Sequence, residues 1–110
     1  MIQSRKKIGI CCPTFNEEEN IRDFYNSYKK IGNEIRKNYK IEFLFADNCS
    51  TDKSFQIIKD IAASDDAVFA IKYSKNFGVM KSIYTAIIKS PNDWDSLAVF
   101  DCDIQDPPSL

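Results

Sequence analysis

Histidine is absent from this sequence of 110 residues, and glycine and proline are scarce, with three and four residues respectively. The four cysteines show no Cys-x-x-Cys spacing, so without histidine the usual ligand sets of a structural zinc site cannot be assembled. The scarcity of glycine and proline argues against a disordered chain. These absences indicate a globular protein with a hydrophobic core.

Neither sign of charge dominates, since 15 Lys and Arg residues face 16 Asp and Glu residues. The basic residues are scattered, so the sequence predicts no nucleic-acid partner. The apolar run from Ile8 to Cys12 is too short for a signal peptide or a membrane span. Cys11 and Cys12 are neighbours on a predicted strand and point to opposite faces, so they are poorly placed for a disulfide. We therefore expect a reducing, cytoplasmic location.

Four short apolar runs predict buried β-strands, and they recur at about thirty-residue intervals, the length of a βαβ unit. The runs are Lys7 to Cys12, Ile41 to Ala46, Val68 to Tyr73 and Leu97 to Phe100. The segments between them show helical periodicity. This alternation predicts an α/β fold, a Rossmann-like parallel sheet with βαβαβαβ order, in a single domain over residues 1–110.

Each predicted helix has an apolar face. The first helix follows Glu17 to Glu19, and Asp52 is placed to cap the second. The inward residues are predicted to be Ile21, Phe24, Tyr25, Tyr28, Ile31 and Ile35 in the first helix, Phe55, Ile58, Ile61 and Ala62 in the second, and Val79, Ile83, Ala86 and Ile87 in the third, which covers residues 79–89.

Every predicted strand runs into a polar cluster, at residues 16–19, 47–52, 74–78 and 101–106. Ligands of parallel α/β sheets bind outside the carboxyl ends of the strands, so the four clusters are expected to gather along one edge. Caps and turns explain the first three clusters equally well.

The fourth cluster is the one that indicates a metal. Asp101 and Asp103 follow an apolar strand and can face the same way, and the amide oxygen of Gln105 adds a ligand on that side. Oxygen ligands of this kind suit a hard divalent ion, Mg²⁺ or Mn²⁺. The alternative is an acidic, solvated turn that ends at Pro107 and Pro108.

Four ordered motifs resemble those of the inverting family-two glycosyltransferases with a GT-A fold. Residues 12–21 (Cys-Pro-Thr-Phe-Asn-Glu-Glu-Glu-Asn-Ile) resemble Pro-x-Tyr-Asn-Glu-Glu-x-Asn-Ile, and residues 47–52 (Asp-Asn-Cys-Ser-Thr-Asp) resemble Asp-Asp-Gly-Ser-x-Asp. Residues 74–78 resemble Ser-Arg-Asn-Phe-Gly, and residues 101–108 resemble Asp-Ala-Asp-Leu-Gln-Asp-Pro-Pro. The last motif is typical of the polyprenyl-phosphate branch, which includes dolichyl-phosphate mannose synthases and bactoprenol glucosyltransferases.

The resemblance implies a role for each matching residue. Pro13, Phe15, Glu17 and Asn76 would belong to the nucleotide site, and Phe45 and Asp47 would meet the base. Asp101, Cys102, Asp103 and Gln105 would hold the metal and the diphosphate. Phe15 and Phe45 also have an alternative role as core residues, and Pro13 as a strand stop.

The implied activity is metal-dependent transfer of a sugar from a UDP- or GDP-linked donor to an acceptor. That acceptor would be a polyprenyl phosphate or a saccharide of the cell-envelope polysaccharide, with the full-length protein at the membrane. A GT-A domain needs roughly another hundred residues. Residues 1–110 are therefore expected to be the N-terminal, nucleotide-sugar-binding part of a truncated glycosyltransferase domain. The general base is expected beyond residue 110, and this chain alone should bind nucleotide without transferring sugar.

The sequence departs from the family pattern at several positions. Asn48 stands where the family has a second Asp, and Cys49 where it has a glycine free to take positive φ. Lys75 replaces an arginine, and residues 79–81 replace a turn that usually contains His or Gln. These changes affect the loops that would hold the donor.

Two other interpretations remain open. An Asp-x-Asp pair after a strand also suits a haloacid-dehalogenase phosphotransferase, with Asp101 as nucleophile and Asp103 as general acid, although that motif usually follows the first strand. The second of these interpretations is a non-catalytic module that binds nucleotide or forms a homo-oligomer through an exposed sheet edge.

Overall fold

The computed structural model describes residues 6–35 and 38–102. The strands are β1 (Lys6–Thr14), β2 (Tyr39–Asp47), β3 (Val68–Lys72) and β4 (Ser96–Val99). The helices are α1 (Ile21–Ile35), α2 (Ser54–Ser64) and α3 (Val79–Lys89). The predicted βαβαβαβ order is confirmed. Across these two ranges, none of the helices has the length and apolar character needed to cross a bilayer.

The four strands form one parallel sheet in the order β3-β2-β1-β4. β1 pairs with β2 along its whole length, from Lys6 opposite Tyr39 to Thr14 opposite Asp47. The chain winds outward from β1 through β2 to β3 and then crosses back to place β4 on the other side of β1. The carboxyl ends of β1 and β4 are therefore the switch point of the sheet, where such folds bind ligands.

Right-handed crossovers decide which face each helix covers. α1 and α2 connect strands in one direction and pack on one face, whereas α3 connects in the reverse direction and packs on the other. The α1–α2 face holds the larger core, in which full burial of each large side chain contributes roughly 1.5–3 kcal/mol. Its buried residues are Ile10, Cys12, Ile21, Phe24, Phe43, Phe45, Ile58, Ile61, Val68 and Cys102.

The α3 face holds a second core, in which Leu44 and Tyr73 are buried and Trp94 packs against them. A Cβ atom on Gly9 would lie 1.8 Å from Cε3 of Trp94, so glycine is what allows the indole to lie on the sheet. The indole Nε1 donates a hydrogen bond of 2.8 Å to Oε1 of Glu42, a residue only 4% exposed. Lys40 Nζ lies 3.3 Å from the other carboxylate oxygen. Each carboxylate oxygen of this buried residue thus has a partner, one an indole N–H and the other an ammonium group.

The inward face of α3 differs from the prediction. Ser82 and Ala86 are buried and Ile83 is half-buried, but Ile87 is 41% exposed. Small side chains at positions four apart allow the helix to lie close to the sheet, which turns the bulkier Ile87 outward. The predicted role of the Val79 side chain falls outside the described part of the structure.

The second helix has the predicted inward face, but its N-cap is Lys53 and not Asp52, and this residue makes no side-chain capping bond. Asp52 Oδ1 accepts a hydrogen bond of 2.9 Å from the N–H of Ser54, one of the free donors at the start of α2. Ile58 and Ile61 are buried and Phe55 is half-buried, with the Lys72 ammonium 5.3 Å from the centre of its ring.

Pro13 does not stop β1, which continues to Thr14. The carbonyl groups of Lys7 and Cys11 accept from Asp95 and Phe100 on the β4 side. The backbone groups of Pro13 also face the β4 side, because Pro13 is two residues after Cys11. Cys11 is, however, the last residue of β1 that pairs with β4. The missing N–H of Pro13 therefore removes no bond from the ladder, and a proline is tolerated in a central strand.

Candidate functional site

The polar loops that follow β1, β2 and β3 lie together at the carboxyl edge of the sheet, as predicted. Asn16 has a φ of 53°, a conformation that asparagine adopts more readily than most residues. Its Oδ1 accepts from the N–H of Thr51 at 2.9 Å and of Asp52 at 3.4 Å. Its own N–H donates to Ser50 Oγ at 2.9 Å. Asn16 therefore joins the loop after β1 to the loop after β2.

Further hydrogen bonds fasten the same two loops. The N–H of Glu17 donates to Ser54 Oγ at 2.8 Å. The N–H of Glu18 donates to Asp52 Oδ2 at 3.3 Å, and the N–H of Lys53 donates to Glu18 Oε2 at 3.1 Å. These bonds run in both directions and tie the two loops together.

Asp47 ends β2 and is fully buried. Its Oδ2 accepts from the N–H of Ser50 at 2.9 Å, while Oδ1 accepts from the hydroxyl of the same residue. Its carbonyl oxygen accepts from the N–H of Tyr73 at 2.8 Å. Both carboxylate oxygens are thus occupied in shaping the loop. The predicted contact of Asp47 with a base remains a prediction.

Asn48 connects the loop after β2 to the loop after β3. Its Nδ2 donates to Asn76 Oδ1 at 2.8 Å, and its Oδ1 accepts from the N–H of Phe77 at 2.9 Å. Asn76 Oδ1 also accepts from the N–H of Gly78 at 2.8 Å. An aspartate at position 48 would lack the donor that the first of these bonds requires. The amide therefore fits the local geometry, and Asn76 acts here as a loop-building residue.

Cys49 has a φ of 62°. This is the position at which the resembling motif has glycine, and the structure confirms that the backbone there takes positive φ. For a residue with a Cβ atom, the left-handed conformation costs roughly 1–2 kcal/mol. The hydrogen bonds of Asp47 and Asn48 on the preceding residues hold the chain in this conformation.

A cleft of about 160 Å³ opens beyond the carboxyl ends of β1 and β4. The residues that line it are Pro13, Thr14, Phe15, Glu17, Asn48, Ser82 and Asp101. Phe15 is 44% exposed, so its ring is available to a ligand. Glu17 accepts a hydrogen bond of 2.7 Å from Asn20 Nδ2 through one carboxylate oxygen.

The cleft brings together four predicted site residues, Pro13, Phe15, Glu17 and Asp101. The other predicted nucleotide-binding residues lie elsewhere. Phe45 is fully buried in the α1–α2 core, where its ring packs between Phe24 and Phe43, and this is the core role left open by the sequence. Its contact with a base remains a prediction.

The fourth polar cluster is described only as far as Cys102. Asp101 is exposed at the cleft, and Cys102 is 1% exposed in the core beneath it. The predicted metal ligands Asp103 and Gln105 lie outside the described residues. Within residues 6–35 and 38–102, no three Cys, Asp or Glu side chains are grouped closely enough to hold a metal ion.

Sequence reasoning missed three residues that line the cleft, Thr14, Asn48 and Ser82. The hydroxyl of Ser82 is buried, and it is the only such side-chain atom without a hydrogen-bond partner in the part of the chain described. Unpaired buried hydroxyl groups are costly, so a partner supplied by a ligand would be favourable. A signal was present, because Ser82 precedes Ala86 by four residues and so shares its inward face.

The chain matches the model of glycosyl transferase family 2 over residues 9–110. The chain therefore belongs to glycosyl transferase family 2. The match does not favour the phosphotransferase interpretation of Asp101 and Asp103.

Relatives agree with this assignment. The chain is 33% identical over 101 residues to a prophage bactoprenol glucosyl transferase homolog of Escherichia coli, a match that covers 92% of this chain and 32% of that protein. It is also 33% identical to the bactoprenol glucosyl transferase of Shigella phage SfX, with the same coverage. The chain thus spans about a third of the length of these curated relatives.

Solved structures share the fold. The chain superposes on Staphylococcus aureus TarS 1–349 in complex with UDP-GlcNAc with a TM-score of 0.72 at 23% identity, covering 88% of this chain and 26% of that one. The mannosyltransferase PcManGT of Pyrobaculum calidifontis, in complex with GDP-Man and Mn²⁺, gives a TM-score of 0.72 at 18% identity, covering 91% and 28%. The described fold is that of the corresponding part of GT-A glycosyltransferase domains.

Proposed function

We propose that this chain is the donor-binding part of a metal-dependent glycosyltransferase that uses a nucleotide-diphosphate sugar. One observation carries the proposal: the cleft lined by Pro13, Phe15, Glu17 and Asp101 lies at the switch point of the sheet. Membership of glycosyl transferase family 2 and the nucleotide sugars bound in TarS and PcManGT support this use of the cleft.

Each group in the cleft has a chemistry suited to such a donor. Pro13 and the exposed ring of Phe15 offer apolar surface to a flat base or a ribose. Ser82 offers a hydroxyl that lacks a partner within the described part of the protein. We assign Asp47, Asn48 and Asn76 an indirect role, because their hydrogen bonds hold the loops that form the wall of the cleft. Phe45 would act from the core, by supporting the end of β2.

A divalent ion, Mg²⁺ or Mn²⁺, is part of the proposal. Asp101 presents an exposed carboxylate at the cleft, and Glu17 adds a second carboxylate to its lining. An all-oxygen set of donors fits a hard cation. We assign Asp101 as a ligand, together with Asp103 and Gln105 from the chain that follows. Cys102 lies in the core and holds this segment from below.

The chemistry follows from charge. Displacement of a nucleoside diphosphate from the sugar leaves negative charge on the diphosphate, and a divalent ion held by Asp101 would supply Lewis-acid stabilisation of that charge. Asp101 anchors the leaving-group side of the site at the end of β4. The wall formed by Pro13 and Phe15 excludes water from one side of the donor. Transfer also needs a base that deprotonates the acceptor, and we assign that role to none of the described residues.

For the acceptor we propose a polyprenyl phosphate, in the assembly of cell-envelope polysaccharide on the cytoplasmic side of the membrane. Support comes from the motif at residues 101–108 and from the relatives named bactoprenol glucosyl transferases. The donor base is proposed to be uracil or guanine, the bases bound in TarS and PcManGT respectively.

Calorimetric titration of the purified chain with UDP and with GDP, each with and without Mn²⁺, tests the proposal. We expect metal-dependent binding of one nucleotide. Asp101→Asn should weaken it at least about tenfold, since a charge-assisted contact contributes roughly 1.5–3 kcal/mol. Ser82→Ala should weaken it a few-fold without loss of stability.

The matched control is Asp66→Asn, because Asp66 is an exposed aspartate in the turn before β3, far from the cleft in the sheet. It should bind as the unchanged chain does. Equal affinity of the Asp101→Asn and Asp66→Asn variants would contradict the assignment of Asp101. Absence of binding by the unchanged, folded chain would favour the interpretation as a self-associating module.

A further inference from the structure

A pair of buried thiols lies directly beneath the cleft. Cys12 is at the end of β1 and Cys102 follows Asp101, and their Sγ atoms are 2.7 Å apart although the residues are 90 positions apart in the chain. The two side chains are 0% and 1% exposed. A disulfide bond measures about 2.0 Å between sulfur atoms, so a shift of less than about 1 Å brings the pair to bonding distance.

The topology of the sheet explains why these two residues meet. β4 pairs with β1 in parallel as far as Val99 opposite Cys11, and the N–H of Phe100 donates to the carbonyl of Cys11 at 3.0 Å. The chain that leaves β4 therefore passes beside the end of β1. Cys102 then enters the α1–α2 core on the same side as Cys12.

The contact is specific to one of two neighbouring cysteines. Cys11 is as buried as Cys12, but its side chain lies in the core of the opposite face, against Leu44 and Ala86. Successive side chains of a strand point to opposite faces, so Cys11 cannot reach Cys102. Thr14 lies beside the two thiols, with its Oγ1 3.6 Å from Cys102 Sγ.

We propose that Cys12 and Cys102 are a disulfide site, oxidised by hydroperoxides and reopened by thiols. Hydrogen peroxide takes two electrons from one thiol, which becomes a sulfenic acid and releases water. The second sulfur then attacks the sulfenic sulfur, the S–S bond forms, and the displaced hydroxide leaves as water with the proton of the second thiol. One peroxide and two thiols thus give one disulfide and two waters.

The bond would tether the end of β4 to the end of β1, one residue from Asp101. A cross-link that closes a loop of this length strongly restricts the unfolded chain. Burial makes both thiols slow to react while they are enclosed, so the reaction requires a transient opening of residues 100–102. This site does not depend on the proposed function, and its test needs no nucleotide.

The test uses the fully reduced chain treated with hydrogen peroxide, with remaining thiols then alkylated in denaturant and the digest analysed by mass spectrometry. We expect one cross-link between the peptide that contains Cys12 and the peptide that contains Cys102, with Cys49 outside the cross-link. The melting temperature of the oxidised chain should rise by roughly 10 °C or more and return on reduction with dithiothreitol.

The digest does not show whether Cys11 or Cys12 forms the bond, because the two residues occupy the same peptide. Cysteine variants distinguish them. Cys11→Ala is the matched control and should retain the cross-link and the rise in Tm. Cys12→Ala and, independently, Cys102→Ala should lose both. A cross-link that persists in Cys12→Ala, or oxidation of the unchanged chain to sulfinic acid without a cross-link, would overturn the proposal.

Discussion

The loops after β1, β2 and β3 differ sharply from the end of β4, although all four lie at the same edge of the sheet. In the first three loops, side-chain oxygens of Asn16, Asp47, Asn48 and Asn76 accept hydrogen bonds from backbone N–H groups of the same loops. After β4, Asp101 presents an exposed carboxylate to the cleft. The three loops at residues 16–19, 47–54 and 74–78 thus form a hydrogen-bonded framework. The segment after β4, in contrast, has a polar group that is available to a ligand.

The largest expected effect comes from breaking the framework at Asn48. Asn48→Ala removes the partners of Phe77 N–H and Asn76 Oδ1 in a part-buried setting, which should lower the free energy of unfolding by about 2 kcal/mol. Asn48→Asp should cost less, because the carboxylate still accepts from Phe77 N–H. Urea denaturation followed by circular dichroism measures both changes.

Asn26→Ala is the control for that experiment, because Asn26 is exposed on α1. Its unfolding free energy should stay within about 0.5 kcal/mol of the unchanged chain. If Asn48→Ala were no more destabilised than Asn26→Ala, the amide of Asn48 would not be holding the two loops together.

A smaller and opposite effect is expected at Cys49, where the framework holds a side chain at positive φ. Cys49→Gly should stabilise the protein by about 1 kcal/mol, since glycine adopts this conformation without the Cβ penalty. Cys49→Ala keeps the Cβ atom and serves as the comparison. Equal melting temperatures for the glycine and alanine variants would show that the conformation carries no strain.

The smallest effect is expected at Asp52, and it concerns how much stability the protein loses as the pH falls. Burial opposes ionisation of Asp52, but hydrogen bonds from Ser54 and Glu18 outweigh it and hold its pKa below the usual 3.8. A lowered folded-state pKa stabilises the protein above the unfolded value, and this contribution is lost as the pH falls through the folded value.

Asp52→Asn should therefore lose less stability than the unchanged chain between about pH 5 and pH 3. Denaturant melts at the two pH values measure the difference. Asp66→Asn, outside the framework, should show the same acid sensitivity as the unchanged chain. A steeper loss of stability in Asp52→Asn would contradict the assigned sign.

Much of the fold was predictable, because local periodicity of apolar residues indicates where strands and helices form. The order of elements and the bounds of α3 followed from apolar spacing and turn residues. The inward face of α3 was predicted wrongly at Ile87, because the distance between helix and sheet depends on Ser82 and Ala86 packing against β1 and β2. Periodicity reports that a face exists but not its rotation about the helix axis.

The candidate site was predictable to a lesser degree. Pro13, Phe15, Glu17 and Asp101 were named from motifs, and the cleft brings them together. Asp47 and Asn76 were named for the same reason, yet their side chains are occupied in building loops. Motif residues comprise both ligand contacts and loop supports, and the sequence alone does not distinguish these roles.

The sequence by itself determined the βαβαβαβ order, the family and the polar loop after each strand, because these depend on neighbouring residues. Only the tertiary structure decided that β4 returns beside β1, since this depends on the hand of the crossovers and the packing of helices on both faces. That return places Asp101 in the cleft with Pro13, and Cys102 against Cys12. Contacts between residues 90 positions apart arise from the sheet as a whole, and no local pattern encodes them.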